Sequence, residues 1–320
     1  MQQAIKRIRR KQRGPTPKTI EDLGNVLLQY EGVEDIYVGQ ALGDDDSVAI
    51  IFSSKKLLDQ LDKATEIYMD GTFDITPKHL DACQCYVMQM RISGKGVGTV
   101  FILSNKRTAK TYDAIFEELT ECCPHLKANI KGIWGDFEKA TIKSTKTWFK
   151  NAQYHGCWFH FKKNARKRWK RTGLLRDGPQ DFLELVLTIA LLPAHLIEKA
   201  VKILESKIKD YDKKYWHKLE KFMKYIRRNW VKIADILSVN NLEQQTNNIS
   251  ESFNSRAVSR IGIHPNVWEF LDKIKIVISD EESRMDKLLN GEDLGCSMKK
   301  EDRKRNNRIR KAEEMLRNGG

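Results

Sequence analysis

The chain has 320 residues, a formal net charge of +14, 40% hydrophobic and 31% charged residues, which fits one large soluble domain or a domain carrying an insertion. No run is long and apolar enough for a membrane span and the N-terminus lacks a secretory signal, so cytosol or nucleus is the expected compartment. Six cysteines without framework spacing or a CxxC pair argue against a disulfide scaffold and predict reduced thiols.

The positive charge is gathered in three runs. Residues 1–18 carry +7, residues 162–171 carry +7 and residues 299–320 carry +5, so the rest of the chain is slightly acidic. Basic patches on an acidic body predict a polyanionic partner. The terminal runs also fit solvated tails or nuclear-import signals.

Residues 1–60 read as a basic arm and a lead-in segment. A Gly14-Pro15-Thr16-Pro17 break is followed by a helical pattern from Thr19, a short strand at Val48–Phe52 and a helix from Ser53 to Leu61. Strands are then expected over 66–74, 82–92 and 97–103, joined through a turn-rich Gly94–Gly98 stretch into an antiparallel meander. A helix over 108–122 follows, then a strand at 128–134, a helix at 137–149, a short strand at 154–157 and a basic helix at 159–171. This is an α/β pattern with a mixed sheet flanked by helices. From Leu174 to about residue 240 only helical stripes remain: Phe182, Leu185 and Ile189; Leu196, Ala200, Ile203 and Leu204; then Trp216, Leu219, Phe222, Met223, Ile226 and Trp230. They predict an all-helical insertion with no chemistry of its own. Helices over 245–260 and 265–290 and a basic tail from 291 to 320 complete the chain.

Three acids stand out. Alternation along Glu66–Asp74 puts Ile67, Met69, Gly71 and Phe73 on one face and Tyr68, Asp70, Thr72 and Asp74 on the other. A desolvated carboxylate must be paired, protonated or bound to a metal. Asp70 is therefore either a functional carboxylate or one on a solvated sheet face. Asp136 follows the Ile130–Trp134 strand at its carboxyl end, where α/β sheets open a crevice, while Glu138 has an ordinary place in the next helical turn. Glu251 lies in Thr246–Ser255. There Asn247, Asn248, Glu251, Asn254 and Ser255 share a helical face without Lys or Arg, which fits a ligand-facing surface or a cap cluster with an exposed acid. Three carboxylates on separate elements suit hard divalent cations, and a pair of such ions suits phosphodiester displacement.

The ordered set Asp70-Gly71-Thr72-Phe73, Gly135-Asp136-Phe137-Glu138, Gly156-Cys157-Trp158-Phe159-His160-Phe161 and Asn247-Asn248-Ile249-Ser250-Glu251-Ser252-Phe253-Asn254 resembles Mutator-like element (MULE) transposases. These belong to the DDE superfamily on the RNase H-like fold, and the similarity covers roughly residues 60–260. It implies an RNase H-like core over 61–173, a helical insertion over 174–240 before the last catalytic acid, and core-completing helices over 241–290. It also implies Asp70, Asp136 and Glu251 as the catalytic, metal-binding triad for two Mg²⁺ or Mn²⁺ ions. The activity implied is nicking at transposon ends and transfer of the freed 3′-hydroxyl to target DNA, in the nucleus, with a homodimer as one expected assembly.

Cys157 and His160 occupy the family's CxxH position. Zinc there is the weaker expectation, because a tetrahedral site needs four ligands and His155, His79 and Cys122 or Cys123 would have to converge. The following helix offers Lys162, Lys163, Arg166, Lys167, Lys170 and Arg171 to a phosphate backbone, and Trp158 and Trp169 fit either base stacking or core. The chain departs from the family in having neither Cys nor His in residues 1–60, so a zinc-binding recognition domain is not expected in that segment. A transposase-derived DNA-binding or regulatory protein without activity is the alternative. An RNase H-like nuclease is a third reading, disfavoured by the insertion.

Overall fold

The computed structural model describes residues 15–30, 32–242, 248–295 and 300–318, and within these not the side chains of Asn248, Glu251 and residues 300–302. The expected arm up to residue 14 and Asn247 lie outside the described residues. Two compact units are present. One is built from residues up to Ile133 with Glu138–Gln153 and Asn248–Leu294, the other from Trp134–Phe137, Tyr154–Asn247 and the chain from Gly295. No helix among the described residues is long and apolar enough to cross a membrane.

The elements run α1 (Ile20–Leu27), β1 (Tyr37–Gly43), β2 (Ser47–Phe52), α2 (Lys55–Leu61), β3 (Glu66–Thr72), β4 (Gln84–Ile92), β5 (Lys95–Ser104) and α3 (Ala109–Cys122). Then come β6 (Gly132–Gly135), α4 (Lys139–Trp148), β7 (Gln153–Gly156), α5 (Trp158–Arg171), α6 (Gln180–Thr188), α7 (Ala194–Ser206) and α8 (Lys213–Asn229). The last three helices are α9 (Asn248–Ile261), α10 (Val267–Leu289) and α11 (Lys300–Asn318). Caps account for several starts: Thr19 closes a capping box with Asp22, Thr108 one with Thr111, and Asn266 accepts from Glu269 N–H.

The seven strands form one mixed sheet in the order β1-β2-β5-β4-β3-β6-β7. The first five pair antiparallel along that order. Lys131 and Gly132 N–H donate to the Thr65 carbonyl, at 2.8 and 3.2 Å, so β6 starts beside the start of β3 and runs parallel to it. Gln153 N–H to Lys131 and Cys157 N–H to Gly135 set β7 parallel to β6 in the same way. The expected meander is β3-β4-β5, and the order β5-β4-β3-β6-β7 is the RNase H-like arrangement. β3 is its middle strand.

Several element boundaries differ from the sequence reading. Strand β1 was not anticipated, because Gly39, Gln40 and Gly43 interrupt its apolar alternation. Strand β5 begins at Lys95 rather than Val97, so Gly96 joins Gly98 as a strand residue and only Ser93 and Gly94, both at positive φ, make the turn. Residues 126–129 form a helical turn ahead of a β6 of four residues. Strand β3 is covered on both faces, with Ile67, Tyr68 and Met69 fully buried.

The second unit has an aromatic and aliphatic core. Trp158, Phe161, Ala165 and Trp169 of α5 enter it with Phe182, Val186, Ile197, Val201, Leu219, Phe222, Met223, Ile226 and Trp230. The helical body therefore begins before residue 174, with α5. Two expected stripes are rotated: Leu185 and Ile203 are half-exposed, while Val186, Ile197 and Val201 are buried. The turned-out residues line an apolar groove together with Ile309, Ala312 and Leu316 of α11. The expected basic tail is thus largely a helix, anchored by Ile309 in the helical core.

Candidate active site

Asp70 sits opposite Val87 in the β3–β4 ladder and is 8% exposed, which places it in the sheet interior rather than on a solvated face. Helix α9 packs over that face of the sheet. Its apolar stripe, Ile249, Phe253 and Ala257, is buried, and Phe253 meets Phe101 with ring centroids 5.6 Å apart. Burying a side chain of this size contributes on the order of 1.5–3 kcal/mol. The approach depends on two absent side chains. A Cβ on Gly98 would lie 2.7 Å from Phe253 Cε2, and one on Gly96 would overlap Ile249 Cγ2. Gln89 Nε2 donates to Ser250 Oγ at 2.9 Å and fixes the helix along the sheet.

One turn further, Asn254 Nδ2 donates to Asp70 Oδ2 at 3.0 Å. A carboxylate accepts and does not donate, so the amide must turn its nitrogen toward Asp70. Asn254 Oδ1 is then a buried oxygen with no hydrogen-bond partner. Such an orphaned acceptor costs about 1–3 kcal/mol.

A second buried acid holds the helix from behind. Glu281 of α10, 4% exposed, accepts from Gly98 N–H at 2.7 Å and from Arg256 at 3.1 Å. The Gly98 N–H adjoins the β-bulge at Met88/Gln89, where the ladder is irregular. Glu281 thus joins β5, α9 and α10. The loop after β3 is clipped to the α9–α10 connection by His264 N–H to the Asp74 carbonyl and Lys78 N–H to the Pro265 carbonyl.

Glu138, in the same unit, accepts from Tyr112 Oη at 2.8 Å and pairs with Arg107 at 3.1 Å. Tyr112 in turn accepts from Gln84 Nε2 at 3.0 Å. The Arg107 guanidinium also lies over the half-exposed Phe73 ring, 5.3 Å from its centroid. Glu138 is therefore bound into a side-chain network as well as beginning a helix.

Asp136 belongs to the second unit and follows directly after β6, as its sequence position predicts. Its side chain is half-buried and its carbonyl accepts from Tyr154 Oη at 2.7 Å. Glu251 is in α9, one turn before Asn254, and its side chain lies outside the described residues. Among the described residues no group of three or more His, Cys, Asp or Glu side chains could hold a metal ion. In the sheet unit, the Asp70 carboxylate and the oxygen of the Asn254 amide whose nitrogen bonds it are of the donor types a hard divalent cation takes, carboxylate and amide oxygen alike.

In the second unit the cationic run is displayed on α5. Lys163, Arg166, Lys167, Lys170 and Arg171 are exposed, and Arg166 pairs with Glu184 at 3.2 Å. Lys162 is half-buried over the Trp158 ring, 3.9 Å from its centroid. Burial, with Arg305 of α11 and Arg166 nearby, pulls its ammonium below the usual lysine range. Trp158 and Trp169 are core residues, with Trp158 Nε1 donating to the Leu187 carbonyl.

Cys157 is buried, and Cys83, Cys85, Cys122 and Cys123 are free thiols. His160 is half-buried beside Phe159. His155 stacks on Trp134 at 4.7 Å, and burial holds its imidazole below the usual range. Cys157, His160, His155, His79 and the Cys122–Cys123 pair are not gathered into a zinc set.

Glu281 and the Gln84–Tyr112–Glu138–Arg107 network as such were not read from the sequence, and the contact of Asn254 with Asp70 was not either. The sequence places Asn254 on the cation-free, ligand-facing side of α9. No protein-family model matches the chain, and no curated protein matches it. Among solved structures the chain is similar to the Drosophila P element transposase strand transfer complex, at 13% identity over 82% of this chain and 72% of that chain, with a TM-score of 0.26.

Proposed function

We infer that the chain is the catalytic domain of a DDE-type, MULE-like DNA transposase, cutting at transposon ends and joining them to target DNA. The observation that carries this reading is Asp70. It is a buried carboxylate in the middle strand of an RNase H-like order, held by an amide from the helix that also bears Glu251. Asp136, at the end of β6, supplies the second acid of the ordered set. In this reading Asp70, Asp136 and Glu251 hold Mg²⁺ or Mn²⁺. The ions, when bound, activate the attacking oxygen and stabilise the leaving one.

The chain's own residues then divide the work. Asn254 orients Asp70, and the exposed cations of α5 bind the phosphate backbone through a salt-dependent contact. The reading includes a nuclear location and assembly as a homodimer on DNA.

The test is strand nicking of DNA carrying candidate transposon ends, with Mg²⁺ or Mn²⁺ present or absent. Asp70→Asn and Glu251→Gln are each expected to lower metal-dependent nicking by about 10²-fold or more, with DNA binding nearly unchanged. Variants that cut as well as wild type would end the site assignment. DNA binding by a wild-type chain that never cuts would favour the transposase-derived regulatory protein.

A further inference from the structure

Asn254 is the residue whose chemistry is left unfinished by the fold. Its position over Asp70 is set by four successive contacts of α9: Ile249 on Gly96, Ser250 on Gln89, Phe253 on Gly98 and Phe101, and Asn254 on Asp70. Behind the helix, Glu281 locks Arg256 and the β5 backbone. An amide held this firmly has one oxygen, Oδ1, buried without a donor. A neutral hard oxygen, on an amide whose nitrogen already bonds the carboxylate, is of the donor type that Mg²⁺ and Mn²⁺ accept, and it adds a ligand without adding a second repelling charge.

We propose that Asn254 is an oxygen ligand to the divalent cation held by Asp70, additional to the Asp70–Asp136–Glu251 set. The proposal rests on the metal-site reading above. Asn254 holds the carboxylate through its nitrogen, which leaves its oxygen as the donor for the ion. The amide oxygen would add a neutral donor from α9 to the acids of that set.

The experiment is Mn²⁺ binding by the full chain without DNA, followed from the electron paramagnetic resonance signal of free Mn²⁺, beside thermal unfolding with and without Mn²⁺. Wild type, Asp70→Asn, Asn254→Ala and Asn254→Asp are compared at one pH. Wild type is expected to bind, Asp70→Asn to lose the site, and Asn254→Ala to bind at least about tenfold more weakly. Asn254→Asp sets two carboxylates against each other. It is expected to melt below wild type without Mn²⁺ and to gain more than wild type when Mn²⁺ is added.

Asn254→Ala that folds and binds with wild-type affinity would overturn the proposal while leaving the Asp70 site standing. So would an Asn254→Asp melting deficit that Mn²⁺ leaves unchanged, and this comparison decides alone if Asn254→Ala does not fold. Wild type that takes up no Mn²⁺ would overturn the metal reading and the proposal together.

Discussion

The two units treat polar groups in opposite ways. In the sheet unit, acids and amides are carried inside: Asp70 on Asn254, Glu281 on Arg256 and the Gly98 amide, Glu138 on Tyr112 and Arg107, Gln89 on Ser250. In the helical unit the interior is Trp, Phe, Leu, Ile and Val, and charge is left on the surface of α5. Buried polar groups cost free energy unless they are paired, so a fold that keeps several has fixed their geometry. Oriented chemistry is therefore expected from the sheet unit, and charge-based contact from the helical one.

The largest expected effect falls on the helical core. Phe222→Ala removes a fully buried ring packed edge-on to Trp169 at 5.0 Å. It should cost about 3–5 kcal/mol in chemical denaturation. A loss under 1 kcal/mol would show that the aromatic core is not what holds this unit.

In the sheet unit the corresponding break is a gain of volume. Gly96→Ala should destabilise by about 1–3 kcal/mol, since the new methyl meets Ile249. Ile249→Ala in the same chain should return part of that loss. Two additive losses would mean that the glycine serves something other than the seat of α9.

The smallest effect on stability, and a large one on binding, is expected from the cationic helix. Neutralising Lys163, Arg166 and Lys167 together should change unfolding free energy by about 0.5 kcal/mol or less. The slope of log affinity for DNA against log salt should flatten by up to about 3. An unchanged slope would remove α5 from the interface and blur the contrast between the units.

Much of the sheet was readable because β3, β4 and β5 carry long apolar, β-branched and aromatic runs, and a carboxylate inside one of them is conspicuous. Helix α9 was readable as well, through the Ile249–Phe253–Ala257 stripe. The failures share a physical cause, which is residues with two structural uses. Glycine serves a turn or a close approach equally well, so Gly96 read as turn when, with Gly98, it is a seat for α9. A helix with apolar residues on two sides, such as α6 or α7, does not declare which side is covered first. Helix α11 is so charged that its few apolar residues, Ile309 among them, gave no stripe. Asn254 was legible as part of a ligand-facing side of α9, but only the fold sets it against Asp70, because the two lie 184 residues apart.

The glycine seat on β5 has a further consequence. The spacing between α9 and the sheet is gauged by main chain, which has no alternative rotamers with which to yield. Larger or smaller side chains elsewhere on α9 can then drift without moving the Asp70–Asn254 contact, because the stop lies two strands away. A protein assembled in this manner guards the reach of its carboxylate at positions that never touch it.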